Sequence, residues 1–181
     1  MMQIQFTVPG QPEAKGRPRF RIMPAKGGAD ALMTVVQKIT AQRLPASVAL
    51  AEIKSTVAQH QGFVSTYTPP ETVKNEERIA RFAKVAMAGA APCAMPIEIL
   101  VELRMQIPVS WSKKKQVAAA AGTVRATKKP DLDNCAKSVL DACNGIVFAD
   151  DGQVVQLTVR KLYHAVPAVV VAIRSVEGGA A

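Results

Sequence analysis

The sequence predicts an α+β domain in which one mixed β-sheet has helices packed against it, in the order β-α-α-β-α-α-β-β. Three observations carry this expectation. Residues 3–8, QIQFTV, alternate with Ile4, Phe6 and Val8 on one face, as a half-buried strand does. MPIEILVELRMQIP sets Ile97, Ile99, Val101 and Leu103 against Glu98, Leu100, Glu102 and Arg104. The chain then closes with two apolar stretches, 153–163 and 168–175, expected as a hairpin through HAVP, and the intervening segments follow a helical period.

After the first strand, PGQPEAKGRPRFR places Lys15, Arg17, Arg19 and Arg21 in a Pro/Gly-rich loop. An extended backbone would turn them into a one-sided basic row suited to phosphate contacts; the plainer reading is a solvated basic loop. A helical pattern runs from Ala31 to about His60, interrupted by Pro45, and its Ala, Val and Gln content leaves the buried face ambiguous. Thr68 or the following prolines start the next helix, with Val73, Ile79, Phe82, Ala83 and Val85–Ala86 facing the core and Gly89 as its stop. PVSWSKKKQVAAAAG reads as a short helix capped by Ser110 or Ser112, with Lys113, Lys114 and Lys115 in its first turn. Positive charge at a helix N-terminus opposes the helix dipole, so an anionic partner explains these lysines better than stability does.

Composition narrows the function. In 181 residues of 49% hydrophobic content there is enough apolar material for one compact domain with a buried core. A net charge of +9 fits a phosphate-backbone partner, while 4% aromatic content argues against base stacking as the means of binding. Cys93, Cys135 and Cys143 lack CxxC spacing and are expected as reduced thiols of a cytoplasmic protein. His60 and His164 stand alone and are read as non-catalytic. The start MMQIQFTVPG lacks signal-peptide character, and the apolar run AVPAVVVAI is too short to span a membrane.

Against this basic background, KKPDLDNCAKSVLDACNGIVFADD, residues 128–151, holds five of the six aspartates. Crowded carboxylates repel one another unless a cation sits among them, and aspartate oxygens are the donors that Mg²⁺ or Mn²⁺ prefers. Pro130 disfavours helix just before Asp131, so Asp131, Leu132 and Asp133 are expected to be extended, with both carboxylates pointing one way. A helix then runs from Asn134 to Gly145, with Asp133 as its N-cap and Lys137 one turn in, facing the pair. A ten-residue helix rises about 15 Å, and six or seven residues through IVFADD, if extended, reach roughly 20 Å. Asp150 and Asp151 are thus able to return to the same site. Individually these residues have plainer roles: Asp133 as a cap, Lys137 with Asp141 as a surface pair, and Asp150-Asp151-Gly152 as a turn. Their combination points to a metal site.

This run resembles the signature of the RusA-type Holliday junction resolvases, crossover junction endodeoxyribonucleases of bacteria and their phages. The resemblance extends to FTVPGQPEAKGRPRF, PVSWSKKKQ and the final strands, and makes 1–181 one RusA-like endonuclease domain with residues 22–66 as an insertion. It implies a Mg²⁺-dependent homodimer, with Mn²⁺ as a substitute ion, that nicks a four-way DNA junction symmetrically. Asp131, Asp133 and Asp151 would be the metal-binding carboxylates, with Asp150 as a further candidate, and Lys137 the essential lysine near the scissile phosphate. Lys15, Arg17, Arg19, Lys113, Lys114, Lys128 and Lys129 are the expected DNA contacts. Cys135 and Cys143 stand where family members often carry larger aliphatic residues. The rival readings are a non-catalytic branched-DNA-binding protein, a nuclease preferring flaps or forks, and a DxD aspartyl-phosphate phosphatase. The last would need an apolar strand before Asp131, where RATKKP stands instead.

Overall fold

The computed structural model describes residues 1–23, 27–59 and 63–177, with the backbone alone at 21–23, 29 and 63–65. The expectation for His60 lies outside the described residues. In chain order the elements begin with β1 (Gln3–Pro9), β2 (Arg19–Met23), α1 (Gly28–Gln42), α2 (Ala46–Gln59), β3 (Phe63–Tyr67) and α3 (Pro70–Met87). They continue with β4 (Ile97–Gln106), α4 (Lys113–Ala120), α5 (Leu132–Cys143), a 3₁₀ turn (Asp151–Gln153), β5 (Val154–His164) and β6 (Ala168–Ser175). The chain divides into two compact units, one of Met1–Gly16 with Pro69–Ala181 and the other of Arg17–Thr68.

The first unit is built on a four-stranded mixed sheet of order β1-β6-β4-β5, so the α+β class holds. β6 lies antiparallel to both β1 and β4, and β4 pairs in parallel with β5. The expected β5–β6 hairpin is therefore not formed, because β4 lies between the two strands. The reason is legible in their composition: β6 is apolar almost throughout and is buried on both faces, as a central strand must be, whereas β5 carries exposed polar residues and takes the edge.

Alternation in β4 puts Ile97, Ile99, Val101 and Leu103 on the helix-facing side, each fully buried or nearly so. They meet Ile79 and Ala83 of α3 and Cys135, Val139 and Cys143 of α5 in one core. The face of α3 that reaches this core is Thr72, Asn75, Ile79, Ala83 and Met87. Val73 and Val85, expected inside, point outward, Val85 at 74% exposure. Helical spacing from Ile79 and Ala83 selects 72, 75 and 87 and leaves 73 and 85 off the stripe.

On the other face of the sheet, Glu102 is buried between Arg104, at 2.7 Å, and Arg160. Burial pushes its pKa up, but the Arg104 hydrogen bond and the two guanidinium charges outweigh this and hold it below the usual carboxylate value. A smaller cluster of Met105, Ala119, Ala126 and Tyr163 anchors α4, with Trp111 edge-on to Tyr163 at 5.1 Å. Ser112 is the N-cap of α4, its hydroxyl accepting from the Lys115 N–H.

The second unit contains a β2–β3 antiparallel pair, with Arg19 opposite Tyr67, that the expected element order lacked. Its helices α1 and α2 pack on each other on either side of Pro45, linked by Lys38 Nζ to Glu52 Oε1 at 2.6 Å. No residue of α2 is buried, which accounts for its ambiguous apolar pattern.

Between α5 and β5 the chain turns sharply. Gly145 has φ 70, where glycine is favoured, and its N–H donates to the Phe148 carbonyl at 2.8 Å. Val147 and Phe148 are completely buried. Replacing Phe148 by Ala should therefore cost about 3–5 kcal/mol, read as a lower urea midpoint with an unchanged slope.

Candidate active site

Helix α5 begins two residues earlier than the sequence implied. Asp131, not Asp133, occupies the N-cap position, and Asp133 lies within the first turn. Only Asp131 is extended (φ −72, ψ 139), because the restriction imposed by Pro130 falls on Lys129 and does not carry forward to Leu132. Although at the cap position, the Asp131 side chain makes no capping hydrogen bond; its Oδ2 accepts from Asn134 Nδ2 at 3.5 Å. Both carboxylates are exposed, and Lys137 Nζ stands 3.8 Å from Asp133 Oδ2, one turn along, as the spacing implied. The pair sits at the positive end of the helix dipole, which stabilises negative charge.

The third carboxylate does not join them within the chain. Among the described residues no three His, Cys, Asp or Glu side chains are placed to hold one ion. Residues 144–153 do not extend back along α5 as expected. Cys93 N–H donates to the Val147 carbonyl at 2.8 Å, Ala149 N–H to the Cys93 carbonyl at 3.1 Å, and Gln153 Nε2 to the Cys93 and Met95 carbonyls at 2.9 Å. Burial of Val147 and Phe148 draws this segment into the core and leaves Asp150 and Asp151 beyond the C-terminal end of α5. They follow the C-terminal end of α5, a helix about 18 Å long, whereas Asp131 precedes its N-terminal end. Their roles differ locally. Asp150 forms a capping box, its Oδ1 accepting from Gly152 N–H at 2.8 Å while Gln153 reaches back to its N–H. Among the described residues the Asp151 carboxylate makes no such bond.

Asp141 pairs not with Lys137 but with Lys15, whose ammonium also lies 3.6 Å from Glu76 Oε1. This triad ties the 10–16 loop to α3 and α5. It is reinforced by Lys15 N–H to the Asn134 carbonyl at 3.1 Å, Gly16 N–H to Thr72 Oγ1 at 2.9 Å and Asn75 Nδ2 to the Glu13 carbonyl at 3.4 Å. The Asp141 hydrogen bond raises the Lys15 pKa above its ordinary 10.5; desolvation opposes the shift, and the charges of Asp141 and Glu76 support it.

The basic row expected from Lys15 to Arg21 is thus divided. Lys15 belongs to the first unit and is engaged by carboxylates, whereas Arg17 and Arg19 belong to the second, Arg19 opening β2. Lys113 and Lys114 are exposed in the first turn of α4, and Lys115 lies over the Trp111 ring at 4.0 Å. Lys128 and Lys129 are exposed immediately before the acidic pair. The sequence reading missed Lys161, which donates to the Lys128 and Pro130 carbonyls, each at 2.8 Å. The available signal was a lysine in the otherwise apolar row Leu157, Val159, Lys161 and Tyr163 of β5.

Residues 45–174 match the family described as Endodeoxyribonuclease RusA. The chain belongs to the RusA endodeoxyribonuclease family. It is also 34% identical over 176 residues to "Uncharacterized protein YqaN" of Bacillus subtilis (strain 168), spanning 96% of this chain and 97% of that one. The RusA match includes both aspartate pairs, Lys137 and Lys161, but not Lys15 or the rest of the 10–16 loop. No helix among the described residues of this RusA member is long and apolar enough to cross a membrane.

The donor set at Asp131 and Asp133 fits a hard divalent cation. Two exposed carboxylates at a helix N-terminus, neither spent on capping, match an ion such as Mg²⁺ that takes one or two carboxylates and keeps water and substrate phosphate in its remaining positions. The Lys15 triad makes a separate contribution to stability. Because the folded pKa of Lys15 is raised, that contribution is complete below about pH 10.5 and is lost as pH rises through the folded value. The difference in melting temperature between the wild type and Lys15→Met should accordingly stay level from pH 7 to 10 and close at higher pH.

Proposed function

We propose that this protein is a Mg²⁺-dependent, structure-specific endodeoxyribonuclease that resolves four-way DNA junctions by symmetric paired nicks in DNA recombination and repair. The observation that carries the proposal is the acidic pair at the start of α5. Asp131 stands where a cap belongs yet forms no capping bond, Asp133 is exposed beside it, and Lys137 is within 3.8 Å of Asp133. Membership in an endodeoxyribonuclease family gives this pair a chemistry.

Asp131 and Asp133 would hold Mg²⁺, which when bound polarises the scissile phosphate and lowers the pKa of a coordinated water. Lys137 offers its ammonium to charge developing on the phosphate oxygens during in-line attack. Lys113, Lys114, Lys128 and Lys129, with Arg17, Arg19 and Lys15, supply phosphate contacts that position the junction without reading its sequence. For Lys15 this requires exchanging Asp141 and Glu76 for a phosphate.

Asp151 is the better third carboxylate of the acidic pair 150–151, since Asp150 is committed to its capping box. Within one chain Asp151 and Asp131 stand at opposite ends of α5. A homodimer removes this difficulty. With C2 symmetry, each site takes Asp131 and Asp133 from one protomer and the partner subunit's Asp151, and the two sites then face two strands of one junction. Residues 22–66 are read as an insertion in a single endonuclease domain.

Asp131→Asn and Asp133→Asn should each abolish Mg²⁺-dependent cleavage of a synthetic four-way junction while leaving its binding equal or tighter in a mobility-shift assay. Either variant cutting at the normal rate would remove the assignment. Flap, fork and duplex DNA in the same assay establish the preferred substrate.

Asp150→Ala should lose about 0.5–2 kcal/mol of stability with its cap yet still cleave, and Asp151→Asn should not. Mixed dimers of inactive Asp131→Asn and inactive Asp151→Asn chains then regain one intact site and nick one strand. Sites confined within single chains would stay silent on mixing.

A further inference from the structure

The segment that delivers Asp131 to the surface has few attachments of its own. Among the described residues, 128–130 enter no backbone–backbone hydrogen bond, and their carbonyls are held from a distant strand by one side chain, Lys161. The two bonds, each 2.8 Å, join positions 33 and 31 residues apart in sequence. The Pro130 carbonyl belongs to the peptide that leads into Asp131, so fixing it fixes the direction in which the chain enters α5.

Lys161 is out of place by ordinary rules. It lies opposite Leu103 in the parallel β4–β5 register, on the helix-facing side of the sheet, between Val159, packed on the main core, and buried Tyr163. Among the described residues no carboxylate is within ion-pair distance of its ammonium, although an ammonium on a largely apolar face needs compensation. The two carbonyls use two of its three donors.

We propose that Lys161 is a positioning residue: by gripping the Lys128 and Pro130 carbonyls it sets the aim of the Asp131 and Asp133 carboxylates. It acts through the backbone and touches neither substrate nor reacting atoms. This inference rests on the nuclease reading above.

The test uses the full chain as wild type, Lys161→Met, Lys161→Arg and Asp131→Asn. Mn²⁺ binding without DNA is followed by electron paramagnetic resonance, junction binding in EDTA as a function of salt, and Mg²⁺-dependent nicking at saturating DNA. Lys161→Met should lower Mn²⁺ affinity and kcat about 10- to 100-fold, as loss of a residue supporting metal ligands does. Its junction affinity and the salt slope of binding should match the wild type, and Lys161→Arg should restore most of the loss. Normal Mn²⁺ affinity and kcat in Lys161→Met would overturn the proposal. So would weaker DNA binding with a salt slope reduced by about 0.9, which marks a lost phosphate contact. Should Lys161→Met fail to fold, Lys161→Gln, which keeps one donor to the carbonyls, is read in the same way. A wild type that cleaves no DNA, or an Asp131→Asn variant that cleaves normally, overturns the nuclease reading and with it the role assigned to Lys161.

Discussion

Burial of one face of α5 against the sheet is the interaction on which the site depends. Cys135, Val139 and Cys143 are almost wholly buried against β4 and α3, and burying a side chain such as Val139 contributes about 1.5–3 kcal/mol. That packing leaves the helix no freedom to rotate. Helical period then dictates what the opposite face shows: Asp133 and Lys137 follow one another at the surface, one turn apart, while Cys135 and Val139 point inward. The carboxylates are exposed without loosening the fold, because the residues that secure the helix are the buried ones on its opposite face.

The same burial keeps the nearby sulfurs protonated. Desolvation raises the Cys143 thiol to about 12 and the Cys135 thiol to about 11, so both remain protonated at neutral pH. The surface at the start of α5 therefore presents carboxylate oxygen and no thiolate. The surrounding charge works over longer range. The chain's surplus of basic residues, a net charge of +9, surrounds this acidic surface with positive charge.

Much of this was readable before any coordinates. The helices α3, α4 and α5 and the strands β1, β4, β5 and β6 follow from apolar spacing, because each has one face in water and one in a core, or is apolar throughout. Neighbour relations were less legible. Whether β5 pairs with β6 or with β4 depends on which strand best fills the sheet centre, a comparison among strands that no local pattern records. β2 and β3 escaped notice because each is short and lies in a segment of weak periodicity. At the site, the DxD spacing and Lys137 were plain in sequence. Three features were not: the fate of Asp150 as a cap, the capture of Asp141 by Lys15, and the reach of Lys161 to Pro130. Each of these is a contact between a side chain and something made near only by the finished fold, or a local bond whose geometry hangs on a single turn.

The second unit leaves the first after Gly16 and rejoins it at Pro69, and these two points touch: a Cβ placed on Gly16 would lie 3.2 Å from Pro69 Cγ and 2.8 Å from Thr72 Oγ1. An excursion that departs and returns through one doorway asks little of the architecture behind it. Doubling the length of such a detour adds only about 0.6 kcal/mol of closure entropy. The stretch can accordingly change in length at small thermodynamic expense while the sheet and α5 stay as they are.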